Sequence, residues 1–176
     1  MENWQPPEPL DARVALEAIL SAGVTHVVTV PDTFQRTLLA AVESESELTL
    51  VICCTEDEAI CVNAGLYMSG WRPLLSIQNN GLYAGLNALK GIALECEIPT
   101  VMLIGQYGQS VEVPSEQSHL RQVRMLEPTL DTWEVPFKRL YRNEDFDDFA
   151  ARYEETFAHG RTFAFVIGTL MTGSSI

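Results

Sequence analysis

At 176 residues the chain is long enough for one sizeable hydrophobic core and falls in the length range of a single domain. Hydrophobic residues at 47% and charged residues at 20%, with 11 Gly and 9 Pro, exclude a disordered, collagen-like or coiled-coil chain. The 24 acidic side chains against 11 basic ones give a formal net charge of -13, which repels phosphate backbones and anionic membrane surfaces and excludes nucleic acid and membranes as expected partners.

In chain order, the Pro-rich residues 1–9 read as an N-terminal tail and residues 10–176 as a single domain. LDARVALEAILSAG places Leu10, Val14, Ala18 and Leu20 near one helical face and stops at Gly23. VTHVVTV (Val24 to Val30) is a β-branched strand closed by Pro31-Asp32, and the next segment has helical spacing at Phe34, Leu38, Leu39 and Val42. The cycle repeats through strand LTLVICC, helix EDEAICVNAGLYMSG, strand PLLSIQ, helix LYAGLNALKGIALEC and strand PTVMLIG. Periodicity fails from Gln106 to about Leu126. A short helix near Pro128 to Trp133, a helix around Glu144 to His159 and a last strand, Thr162 to Gly168, follow. Apolar strands without polar alternation, separated by helices, predict an α/β fold. The expected architecture is a three-layer sandwich with a mostly parallel sheet of about six strands and helices on both faces.

The four cysteines (Cys53, Cys54, Cys61, Cys96) form no CxxC pair and lie in apolar stretches, so they read as buried small hydrophobes in a reducing compartment. No signal-peptide pattern opens the chain and no run of about 18 apolar residues occurs, which predicts a soluble, cytoplasmic protein. No zinc-finger spacing is present, and no metal ligands are expected from this chain.

Ligands of such sheets bind beyond the C-terminal strand ends. The loops there carry Pro31-Asp32-Thr33, Thr55-Glu56-Asp57-Glu58, Gln78-Asn79-Asn80-Gly81 and Gln106-Tyr107-Gly108-Gln109. The acidic triplet opens a helix, where capping and the helix dipole account for it; one of the three could instead exchange a proton with a ligand nitrogen. Residue type alone does not say which. QNNG is a turn signal or an amide-lined site. Neither GxGxxG after the first strand nor GxxxxGK[ST] occurs, so dinucleotide and P-loop readings fail. His26 reads as a packed strand residue and His159 as a helix-end residue. His119, in the aperiodic SEQSHLRQ, is the one histidine placed where a ligand could be reached.

VTVPDTF, TEDEAICVNAGLYMSG and IQNNGLYAGLNALKGIALECEIPTVMLIGQYG together resemble the pyrimidine-binding domain of thiamine diphosphate enzymes. The similarity is greatest to the small alpha subunits of sulfopyruvate decarboxylase and the matching part of phosphonopyruvate decarboxylase. It implies that Glu56 hydrogen-bonds N1′ of the aminopyrimidine and promotes the imino tautomer that draws the proton from thiazolium C2, leaving Asp57 and Glu58 to cap. It further implies that Asn79, Asn80 and Gly81 line the space where substrate meets cofactor, with Pro31 and Asp32 as a second wall. EQSHL is similar to the EPQH stretch of phosphonopyruvate decarboxylase, which would bring His119 to the substrate.

Two departures stand out. Tyr107-Gly108 replaces the Arg-Gly common in relatives, removing a cation suited to a sulfonate or phosphonate. Nothing like the GDG...N magnesium and diphosphate motif occurs. The resemblance therefore implies thiamine diphosphate with Mg2+, the diphosphate and metal being held by a partner beta subunit, a small 2-oxo acid as substrate, and a homo-oligomer when this chain is alone. The competing readings are a non-catalytic or regulatory thiamine-domain subunit and a flavodoxin-like small-molecule binding module.

Overall fold

The computed structural model describes residues 4–173. Its centre is a six-stranded, wholly parallel sheet of β2 (His26–Thr29), β3 (Thr49–Ile52), β4 (Pro73–Gln78), β5 (Thr100–Gly105), β6 (Phe137–Leu140) and β7 (Thr162–Ile167), in the order β3-β2-β4-β5-β7-β6. The α/β three-layer expectation holds. Strand residues alternate between two cores. Val27, Leu74, Val101, Leu103, Phe163 and Phe165 face α1 (Ala12–Ser21), α2 (Arg36–Ser44) and α7 (Phe149–Ala158). Val28, Leu75, Ile77, Met102, Ile104, Ala164 and Val166 face α3 (Glu56–Met68), α4 (Asn79–Ala88) and α6 (Leu126–Thr132), with the short α5 (Arg121–Arg124) beside them. Burial on both faces is why these strands lack polar alternation.

Several elements differ from the sequence reading. The buried positions of α1 are Ala12, Ala15 and Ile19, while Val14, Ala18 and Leu20 are only half-buried. The helix does stop at Gly23, whose φ of +67° suits glycine. The helix after β4 begins at Asn79 and continues as a π-helical stretch, Leu89–Leu94. The helix expected around Glu144 to His159 is a 3-10 turn, Asn143–Phe146, followed by α7. β6 was not expected at all. A second, two-stranded sheet pairs β1 (Leu10–Asp11) with β8 (Met171–Thr172). Within the expected tail, residues 1–3 lie outside the described residues. Glu8 N donates to Tyr141 O at 2.8 Å and Trp4 packs edge-on against Tyr141, so residues 4–9 lie against the end of β6.

The cysteine expectation fails for three of four. Cys53 is buried, but Cys54, Cys61 and Cys96 are exposed because each falls on the outer side of its loop or helix. His26 is partly buried and tilted against Trp71, and exposed His159 sits just past α7 near Glu155 O. Among the described residues no helix is long and apolar enough to cross a membrane.

Candidate active site

The strand order places the site. β2 is followed by α2 on one face, and its neighbour β4 is followed by α4 on the other, so a crevice opens between their C-terminal ends. The loops after β2, β3, β4 and β5 converge there.

Glu56, Asp57 and Glu58 form the first turn of α3. The three carboxylates have different surroundings. Glu58 Oε2 accepts the Cys54 N–H at 2.7 Å, closing the chain before the helix. The Thr55 hydroxyl, then the Glu58 N–H, hold the Asp57 carboxyl below its ordinary range. Both act as cap groups of the kind that first-turn acids provide. Glu56 is half-buried, and among the described residues nothing donates a hydrogen bond to its side chain.

A slot in α4 receives the Glu56 side chain. A Cβ built on Gly81 would stand 1.9 Å from Glu56 Oε1 and 2.2 Å from its Cδ, so the carboxylate occupies the volume that any other residue at position 81 would fill. One turn on, a Cβ on Gly85 would meet Ile60 Cδ1 at 3.0 Å and the α3 backbone at 3.5 Å. The two glycines set the close approach of α3 to α4. Fully buried Ile60, one turn after Glu56, lies on the same side of α3.

Across the crevice the polar groups are mostly internal. Asp32, expected to line the substrate space, is 2% exposed, and both its oxygens are engaged. Oδ1 accepts from Phe34 N at 3.1 Å and Gln78 Nε2 at 3.1 Å, and Oδ2 from Gln35 Nε2 at 3.0 Å. Burial pushes the Asp32 carboxyl up, against the pull of these three hydrogen bonds. Asn79 is fully buried and donates to Tyr107 O at 3.4 Å and Gln122 O at 3.2 Å, fastening the segment after β5. Asn80 is exposed and donates to Gln78 Oε1 at 3.2 Å. Tyr107 is 45% exposed, beside Phe34. Pro31 and His119 are exposed on their loops and make no hydrogen bond to Glu56 or Gly81.

The structure thus brings Glu56 to Gly81, Asp32 to Gln78, Gln78 to Asn80, and Asn79 to Tyr107. Gln35, fully buried at the centre of the Asp32 network, was not singled out from the sequence, although a glutamine three residues after an aspartate within an apolar helical pattern marks it. Among the described residues no group of three His, Cys, Asp or Glu side chains is placed to hold a metal ion.

Residues 12–126 match the family model of the thiamine pyrophosphate enzyme N-terminal TPP binding domain. The chain belongs to this family. It is similar to the sulfopyruvate decarboxylase subunit alpha of Methanococcus maripaludis, 30% identical over 121 residues that cover 69% of this chain and 71% of that one. The subunit of the same name from Methanocaldococcus jannaschii is 26% identical over 120 residues, covering 68% and 69%. Among solved structures, a Mycobacterium smegmatis enzyme provisionally described as thiamin diphosphate-dependent matches with a TM-score of 0.65 at 17% identity. That match covers 96% of this chain and 33% of the other, so this chain has the fold of about one third of that protein.

The residues of this thiamine-family domain fit an aminopyrimidine. A carboxylate with no hydrogen-bond donor among the described residues, seated in a glycine slot at a strand-to-helix junction, is suited to a ring nitrogen that must receive and return a proton.

Proposed function

We propose that this chain is the pyrimidine-domain, alpha-type subunit of a two-chain thiamine diphosphate-dependent decarboxylase acting on a small 2-oxo acid, of the sulfopyruvate or phosphonopyruvate decarboxylase type. The observation that carries the reading is the Glu56 carboxylate in the Gly81 slot while its two acidic neighbours cap the helix. The names of the relatives support the decarboxylase class and the division into subunits.

In this reading Glu56 holds a proton shared with N1′ of the aminopyrimidine, and Gly81 keeps the carboxylate at the crevice edge. When bound, thiamine diphosphate supplies the electron sink for loss of carbon dioxide from the 2-oxo acid. Asn80 and Gly81 border the reacting groups, with Pro31, Tyr107 and His119 on the surrounding loops. Asn79 acts from the interior by fastening the Tyr107 segment. With no cation at position 107, a substrate sulfonate or phosphonate would be met elsewhere, or the substrate carries a neutral tail.

The diphosphate and its Mg2+ are assigned to a partner subunit. The outer faces of α3 and α4 favour such a partner. After the first turn of α3 they expose Cys61, Gly65, Met68, Asn80, Ala84 and Asn87, without a charge, and Met68 is 76% exposed. The same faces would allow self-association when the partner is absent. A cytoplasmic setting is consistent with three exposed free thiols.

The test is Glu56→Gln beside Glu58→Gln in the complex reconstituted with the partner subunit, measuring carbon dioxide release from a panel of 2-oxo acids. Glu56→Gln should lower kcat by roughly 10²-fold or more, as loss of acid-base catalysis does, and Glu58→Gln far less. Equal rates for the two variants would refute the assignment.

A further inference from the structure

Amide side chains recognise a ligand only when they are held one way round, because turning one over exchanges a donor for an acceptor. Three amides and one buried carboxylate at the crevice are joined in a chain whose direction is set at its inner end. Gln35 cannot turn over. Its Nε2 donates to Ile77 O and Leu103 O, each at 3.1 Å, and its Oε1 accepts from Ser76 Oγ at 2.9 Å. Gln35 Nε2 also lies 3.0 Å from Asp32 Oδ2, so one of its two N–H groups is shared between two acceptors, and the Phe34 N–H, fixed by the backbone, reaches Asp32 Oδ1. The carboxylate lies where a Cβ on Gly105 would be 1.6 Å from Oδ2, so glycine on β5 makes its room.

As a carboxylate, Asp32 only accepts, so the Gln78 amide must turn its Nε2 inward, at 3.1 Å from Oδ1. Gln78 Oε1 is then left to accept from Asn80 Nδ2 at 3.2 Å. Asn80 is exposed, and its Oδ1 receives no hydrogen bond from the described residues.

We propose that Asp32 is a positioning residue that acts through Gln78 to hold Asn80 with Oδ1 outward, as an acceptor for an N–H or O–H group of the molecule bound beside Glu56. The identity of that molecule rests on the thiamine reading above. Asp32 itself touches no ligand in this arrangement; it sets which atom of Asn80 the ligand meets.

Two measurements test this separately. In the 15N-labelled full chain without cofactor, Asp32→Leu removes both acceptor oxygens, and with them the group that turns the Gln78 Nε2 inward. The side-chain amide signals of Gln78 and Asn80 should both shift, while that of Asn79, bonded to Tyr107 O and Gln122 O, stays. An unmoved Asn80 signal overturns the relay. If Asp32→Leu does not fold, Gln78→Met at a half-buried position removes the same link, and an Asn80 amide that keeps its signal overturns the proposal.

In the reconstituted complex with thiamine diphosphate and Mg2+, Gln78→Met should raise the KM for cofactor or 2-oxo acid by roughly tenfold, with a smaller change in kcat, as loss of one ordered hydrogen bond does. An unchanged KM overturns the use of the outward Oδ1. A wild-type complex that decarboxylates no 2-oxo acid would fault the functional reading instead, and the amide signals would still decide the positioning.

Discussion

Gly81→Ala separates the stability of this domain from its chemistry. The added methyl carbon would stand 1.9 Å from Glu56 Oε1, 2.2 Å from Cδ and 2.3 Å from Cγ, against the ~3.5 Å at which such atoms rest. Glu56 must therefore retreat by more than about 1 Å, into another rotamer, at a cost of about 1 kcal/mol. It has room to do so, since the side chain is half-exposed and nothing within the described residues binds it. Against that cost, alanine in place of glycine within a helix gains about 1 kcal/mol, and position 81 lies in α4 without a positive φ. The net change in stability should stay within about 1 kcal/mol. A displacement of this size at a reacting group costs ~10²-fold in rate. Urea denaturation of the isolated chain and kcat of the reconstituted complex are the two assays. Near-wild-type kcat, with stability likewise unchanged, would show that the carboxylate in the slot is not the one the reaction uses.

The same clash in a different setting should give the opposite result. A Cβ on Gly105 would stand 1.6 Å from Asp32 Oδ2, but that carboxylate is buried and held by three N–H donors. Gly105→Ala should therefore lose several kcal/mol, of the order of about 3, or fail to fold, and a denaturation midpoint within error of wild type would contradict this. Tyr153 is fully buried and its hydroxyl donates to Pro73 O at 2.9 Å, so Tyr153→Phe should cost about 1 kcal/mol and lower Tm by ~2–4 °C in calorimetry. Burial lowers the pKa of His26 below 6.5, so the unfolded chain takes up its proton first as the pH falls. The domain loses stability from about pH 6.5 downward, and His26→Gln should flatten urea midpoints between about pH 7 and 5; identical slopes for the two proteins would refute this.

The central strands were legible because a strand buried on both faces is a near-continuous apolar run, as PLLSIQ, PTVMLIG and TFAFVIG are apart from Ser76, Gln78, Thr100 and Thr162. β6 was not, since it is an edge strand in which Lys138 pairs with Asp148 and Arg139 with Glu127, leaving Phe137 and Leu140 as a hydrophobic signal too sparse to read. β1 and β8 are two residues each, below the length at which any period exists. In the site, residue types identified an acidic helix start and an amide-rich strand end but could not distinguish three consecutive carboxylates. That distinction is tertiary: the partner of Glu58 lies before the helix, whereas the slot for Glu56 is on α4. The inward course of Asp32 was equally invisible, because it depends on Gly105, far along the chain on β5.

The pairing of Leu10 with Met171 joins segments from near the two ends of the described chain. A contact of that sequence separation closes nearly the largest loop available and gains nothing until the intervening strands are in order. Loop-closure entropy thus predicts that the small sheet is a seal set late in folding, after the parallel sheet exists to hold Leu10 and Met171 in its core. Opening runs in reverse. Thr37 Oγ1 donates to Met171 O at 3.1 Å and Met171 N to Phe34 O at 2.9 Å, so release of the seal also loosens the start of α2 beside the crevice. Amide exchange at Met171 should report this partial opening below the free energy of global unfolding, and ligands that order the β2–α2 segment should slow it from a distance.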